Sequence, residues 1–184
     1  MSGKFITVEG GEAVGKTTLI HSLVAHLKSL GHDVVQTREP GGTPEAEEIR
    51  RMILMPPSHF GEDYKRDNMT EIFLFCAARI DHVKRVIQPA IDRGAIIVCD
   101  RYYDSTIAYQ TAACTDPQDA YLLEQKIRML NDEKFGIIDP HLTLVLYAPE
   151  EVVLERMAGR MKSAGSSESN VLDFIEKRSA AYHK

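Results

Sequence analysis

A chain of 184 residues, 43% hydrophobic and 27% charged, carries enough apolar material for one globular domain. Its net charge of −5 argues against general binding of nucleic-acid polymers, which favours a basic excess. No apolar run approaches the ~18 residues of a membrane span, and the N-terminus leads into a strand without a signal-peptide core, so a cytoplasmic protein with no membrane partner is expected.

In chain order, Phe5–Glu9 reads as a first strand, and Gly10-Gly11-Glu12-Ala13-Val14-Gly15-Lys16-Thr17 follows it. The run fits G-x-x-x-x-G-K-[ST] between a strand and a helix, which is the context that pattern needs. Glycines let successive backbone N–H groups turn toward an anion, Lys16 adds a point charge for the β/γ-phosphates, and the Thr17 hydroxyl can ligate Mg²⁺. The expected ligand is ATP with Mg²⁺, held by residues 10–17 together with Thr18. A helix over Lys16–Leu30 places Leu19, Ile20, Leu23, Val24 and Leu27 on one face and stops at Gly31.

Asp33–Thr37 reads as the second strand and Pro44–Leu54 as a short helix. Pro56–Asp67 is polar with Pro and Gly, and reads as a mobile loop. A long helix is predicted over Thr70–Asp92, bent or restarted at Pro89. Ala95–Asp100 and Leu142–Tyr147 are nearly continuous apolar runs, as in strands covered on both faces. Helices are predicted over Pro117–Asn131, Glu150–Met161 and Asp173–His183, with a small polar stretch at Ser163–Asn170. Alternating strands and helices predict an α/β fold: a P-loop NTPase-type parallel sheet with helices on both faces. Cys76, Cys99 and Cys114 read as free thiols of a reducing compartment, and the seven histidines show no zinc-ligand spacing.

The third strand ends in Asp100-Arg101. The carboxylate is placed to help hold Mg²⁺, but the next residue is a cation where a water-using ATPase usually has a Glu. An Arg there suits clamping of a transferred or accepting phosphate. Transfer without hydrolysis needs water shut out. Arg156 and Arg160, four apart on a helix and followed by the small polar stretch, fit a closing lid at about residues 150–172.

Three further segments make the pattern specific: Thr37-Arg38-Glu39-Pro40-Gly41-Gly42-Thr43, Phe75-Cys76-Ala77-Ala78-Arg79-Ile80-Asp81-His82, and Asp100-Arg101-Tyr102-Tyr103-Asp104-Ser105-Thr106-Ile107-Ala108-Tyr109-Gln110. With the Glu9-Gly10 form of the glycine-rich loop, the chain resembles thymidylate kinase from about Phe5 to Tyr182. The resemblance implies phosphoryl transfer from ATP to dTMP, giving dTDP, by a homodimer. It also implies roles. Glu12 meets the 3′-hydroxyl region of the acceptor. Phe75 stacks on the base, Arg79 donates to thymine O4, and Gln110 adds hydrogen bonds to the base edge. Tyr109 crowds the sugar C2′, and Ser105 belongs to the substrate site. Arg101 bridges the acceptor phosphate and the transferred phosphoryl, with Arg38 nearby. Lys16, Arg101, Arg156 and Arg160 form the catalytic set.

The chain departs from the family pattern twice. Ala13 stands where some members carry an Arg, so the catalytic cations are expected from the lid, yet Ser166–Asn170 replaces a D-R-x-E element there. The fifth strand and last helix usual in the family are also expected to be absent from a single domain over 1–184. A deoxynucleoside kinase is the alternative within kinases, although Arg101 suits a phosphate better than a 5′-hydroxyl. A nucleotide-binding module without turnover is the alternative outside them.

Overall fold

Phe5, Val8, Ile97, Val98 and Cys99 are all fully buried because the strands carrying them are covered on both faces. The computed structural model describes residues 2–163. Strands β1 (Lys4–Gly10), β2 (Val34–Arg38), β3 (Ile96–Asp100) and β4 (Leu142–Leu146) form one sheet in the order β2-β3-β1-β4. Every pairing is parallel. Alternation sorts the side chains: Val8 and Val98 pack with Ile20 and Val24 of α1 (Lys16–Ser29), while Phe5, Ile97 and Cys99 face the other layer. Each fully buried aliphatic side chain stabilises the fold by about 1.5–3 kcal/mol.

The opposite layer is one helical rod in three parts: α3 (Asn68–His82), a π-turn (Val83–Ile87) and α4 (Gln88–Asp92). The Gln88 N–H donates to Val83 O, five residues back. Pro89 is expected to bend or restart this helix, and a new segment, α4, does start at Gln88. The relief lies one turn earlier, in the wider π-turn, and Pro89 sits in the first turn of α4, where its missing N–H costs nothing. Helix α2 (Pro44–Leu54) is capped by the Thr43 side chain, which accepts from the Ala46 N–H.

Helix α5 (Tyr103–Thr111) has no apolar stripe to announce it, because its buried residues are Thr106 and Gln110. Helix α6 (Pro117–Leu130) packs against it. The Pro56–Asp67 loop contains a 3₁₀ turn at Pro57–Phe60 and is tied down rather than free. Arg66 donates to the carbonyls of Ile53 and Met52 and lies over the Phe60 ring. Helix α7 (Glu150–Ser163) carries Val153 and Met157 against the glycine-rich loop residues Ala13 and Val14. Beyond Ser163, the expected polar stretch, the rest of the lid segment and the helix over Asp173–His183 lie outside the described residues.

The register sets where the site forms. Val8 and Arg38 both lie level with Asp100, so the carboxyl ends of β1, β2 and β3 open side by side. Ligands of open parallel sheets bind at that edge.

Candidate active site

The glycine-rich loop turns sharply out of β1. Gly10 has φ 136°, and a Cβ there would lie 2.4 Å from the Leu146 carbonyl oxygen, so β4 passes too closely for any side chain. The loop ends at Gly15, whose left-handed backbone caps α1 and leaves the helix N-terminus facing the cavity. Lys16 is buried, and its ammonium donates to the carbonyls of Gly10 at 3.0 Å and Gly11 at 2.6 Å. Burial, with Arg101 nearby, pulls its pKa down to about 8. Thr17 and Thr18 lie exposed at the start of α1.

A cavity over this loop is lined by Glu12, Ala13, Gly15, Lys16, Thr17, Arg38 and Asp100, among others. Asp100 Oδ1 is buried there without a hydrogen-bond partner, and burial pushes its carboxyl above the usual range. An orphaned carboxylate oxygen and a threonine hydroxyl lining one cavity form a donor set that fits a hard cation. Among the described residues, no group of three or more His, Cys, Asp or Glu could cage a metal alone. One carboxylate oxygen with one threonine hydroxyl is a donor set compatible with Mg²⁺, which takes one or two protein oxygens and would complete its shell with phosphate and water.

A second cavity adjoins the first. Phe75, Arg79, Tyr102, Ser105, Thr106, Tyr109, Ile53 and Leu54 line it. Glu12, Glu39, Arg50 and Arg101 line both cavities. One carries an aromatic and aliphatic wall, the other a polar floor, and two guanidiniums stand between them. Arg101 Nη1 donates to Gly10 O at 3.0 Å and to Ser105 Oγ at 3.0 Å, and Nη2 to Glu12 Oε1 at 2.5 Å. Its guanidinium also lies 5.2 Å from the Tyr109 ring centroid.

Arg79 is 1% exposed, on α3. Its Nε donates to Glu39 Oε2 at 2.7 Å, Nη1 to Asn131 Oδ1 at 2.6 Å and Nη2 to Thr106 Oγ1 at 3.0 Å. Glu39 Oε1 bonds His82 Nδ1 at 2.9 Å, and His82 Nε2 bonds Thr37 Oγ1 at 2.7 Å. Gly42 completes the seat: a Cβ there would lie 2.6 Å from His82 Nε2. Glu39 holds Arg79 ionised against the cost of burial. The guanidinium is thus fixed rigidly at the wall of the second cavity.

Of the expected site residues, Phe75, Arg79, Arg101, Ser105, Tyr109 and Glu12 line the second cavity together. Arg38 borders the first and donates to both oxygens of Glu47. Gln110 lines neither cavity. It is fully buried, and its amide donates to Glu71 at 2.9 Å. Arg156 reaches the glycine-rich loop from α7, donating to Ala13 O at 3.0 Å. Arg160 falls on the same helix, but its side chain lies outside the described residues.

Three residues were missed from the sequence. Arg50 projects from α2 into the junction, donates to Pro40 O at 3.0 Å, and has its pKa lowered by burial and by Arg38. Only the spacing from Pro44 could have hinted that Arg50, rather than Arg51, turns inward. Thr106 and Glu39 were quoted within motifs but not singled out, and both contact Arg79.

Known proteins resemble the chain over nearly its whole length. The family model "Thymidylate kinase" matches residues 8–184. A thymidylate kinase of Caulobacter vibrioides is 43% identical over 180 residues, covering 98% of this chain and 81% of the relative. One of Exiguobacterium sp. is 41% identical over 184 residues, covering 100% and 77%. The solved thymidylate kinase of Ehrlichia chaffeensis superposes with a TM-score of 0.63 at 30% identity, covering 89% of each chain.

Proposed function

The chain belongs to the thymidylate kinase family, and from that premise we propose that it transfers the γ-phosphoryl group of ATP to the phosphate of dTMP, giving ADP and dTDP. It is a nucleoside monophosphate kinase. The observation that carries this reading is Arg101, whose guanidinium lines the phosphate cavity and the aromatic-walled cavity at once. A group so placed suits an enzyme that joins two phosphorylated ligands end to end.

The roles follow from position. Backbone N–H groups of Gly11–Thr18 and the Lys16 ammonium hold the ATP phosphates, with Lys16 exchanging its carbonyl partners for phosphate oxygens. Phe75 offers a face for the base. Arg79, fixed by Glu39, Asn131 and Thr106, donates to a keto oxygen and faces an amino group unfavourably. Tyr109 crowds the sugar. Arg50 and Arg101 hold the acceptor phosphate at the junction, and Arg101 spreads the charge that develops on the transferred group. Asp100 and Thr17 would hold Mg²⁺, which when bound neutralises charge on the β- and γ-phosphates. Arg156 and Arg160 supply lid cations. A homodimer, cytoplasmic location and one kinase domain remain part of the reading. Among the described residues, no helix is long and apolar enough to cross a membrane.

A coupled assay with saturating ATP and Mg²⁺ tests it across dTMP, dUMP, dCMP, AMP and thymidine. Turnover is expected to be fastest with dTMP. Faster turnover of dCMP, AMP or thymidine would overturn it, and nucleotide binding without transfer would favour a non-catalytic module.

A further inference from the structure

Glu9 closes β1 just ahead of the phosphate loop and is 5% exposed. None of the roles above uses it. Both of its oxygens are engaged: Oε1 accepts from the Tyr102 backbone N–H at 2.6 Å and Oε2 from the Ser105 hydroxyl at 2.5 Å. The same Ser105 oxygen accepts from Arg101 Nη1 at 3.0 Å. Arg101 has φ 70°, a left-handed backbone that residues other than glycine seldom adopt. Such a conformation persists where the surroundings over-determine it. Here one carboxylate grips the next residue's N–H and, through Ser105, the guanidinium itself.

We propose that Glu9 is a positioning residue for phosphoryl transfer, setting Arg101 at the junction of the two cavities through Ser105 and the Tyr102 N–H. The proposal rests on the kinase reading. At about pH 8.5, where the assays are run and which lies above the raised carboxyl pKa of about 7, Glu9 is ionised and only accepts hydrogen bonds, so it orients the Ser105 O–H toward itself and leaves the Ser105 lone pairs to Arg101. Glutamine at position 9 would present an amide N–H₂ to Ser105, turn the hydroxyl round and weaken that anchor. Gly10 O and Glu12 would still hold the guanidinium, but with more freedom. Small displacements of a group that acts in the transition state lower kcat more than they weaken binding.

The test is a kinetic cycle on the full chain with E9Q, S105A and the double variant. Each single change is expected to lower kcat about tenfold or more while KM for ATP stays within about twofold. The double variant should fall no further than the worse single variant, because both act on one anchor. In parallel, ¹⁵N-arginine NMR, assigned with R101K, reads Arg101 without turnover. Its guanidinium signal should be restricted in the parent and averaged in both single variants. Wild-type kcat in either single variant, losses that multiply, an effect confined to KM for ATP, or a restricted signal in both variants would overturn the proposal. If E9Q does not fold, E9D, which keeps the charge but shortens the reach to Ser105, takes its place in the cycle with the same expected losses. Absence of dTMP turnover in the parent would refute the kinase reading, and the NMR arm still decides this one.

Discussion

Replacing Glu39 with glutamine tests whether the buried seat of Arg79 is held by charge. Glu39 and Arg79 are 4% and 1% exposed, and the carboxylate carries both the Arg79 Nε–H and the His82 imidazole. A guanidinium cannot shed its proton, so Glu39→Gln leaves a positive charge stranded in the core. Breaking a buried pair in this way costs about 3–5 kcal/mol. Glutamine still accepts one hydrogen bond, which favours the lower end, near 3 kcal/mol. A domain holds only about 5–15 kcal/mol in all. With a urea m-value of about 2 kcal/mol per M, the midpoint should drop by about 1.5 M. The assay is urea unfolding followed by circular dichroism on Glu39→Gln, Arg79→Met and the double variant. Removing both charges should recover about 2 kcal/mol relative to the sum of the single losses. A midpoint within about 0.3 M of the parent, or purely additive losses, would refute the reasoning.

Lys16, with its pKa lowered to about 8, should take up about half a proton when ATP binds at pH 8, since phosphate charge favours the ammonium. Calorimetry in buffers of different ionisation enthalpy reads this, and equal uptake by Lys16→Met would sink it. The Glu9 carboxyl is raised from 4.5 to about 7, chiefly by burial, against the pull of Ser105, the Tyr102 N–H and Arg101. The native state therefore binds more protons than the unfolded chain between those values. The stability contribution is full below pH 4.5 and is lost as pH rises through 7, by about 3 kcal/mol in total. Glu9→Gln should flatten that decline in urea unfolding at pH 5 and 8, and parallel curves for variant and parent would contradict it. Phe75→Ala should raise KM for dTMP roughly tenfold, the worth of a lost base–aromatic stack, with KM for ATP unchanged. Equal rises for both substrates would remove Phe75 from the base wall.

The sheet was legible because Ile96–Cys99 and Leu142–Leu146 are nearly continuous apolar runs, and the phosphate loop because its residues are contiguous; of these two strands only β3 is covered on both faces, since β4 is an edge strand with Leu142 and Val145 49% and 72% exposed among the described residues. The second cavity was legible only through resemblance, since it draws on α2, α3, α5 and the loop after β2. Arg50 lies in the run Glu47-Glu48-Ile49-Arg50-Arg51, where every charge looks solvent-facing until α2 is docked. Gln110 illustrates the converse. Its motif points to a ligand, but one residue beyond Tyr109 on a helix is a turn of about 100°, and that carries its amide to Glu71 instead. Helix α5 was missed because a polar helix buried among polar partners has no hydrophobic period to detect.

The π-turn at Val83–Ile87 has a consequence for inheritance as well as shape. It adds about one residue to the helical repeat, turning everything after it by about 100° relative to everything before. Ahead of it, Phe75 and Arg79 line the second cavity; at its end and behind it, Ile87 and Ala90 pack into the core against the sheet. The two halves of the rod thus obey different phases of one helix. A single-residue deletion between 83 and 87 would turn the bond from residue 88 to Val83 into an ordinary α-helical one and leave the base wall and the core aligned as they are. In descendants of this chain, that short stretch should tolerate the loss of one residue, which the regular helix on either side of it would not.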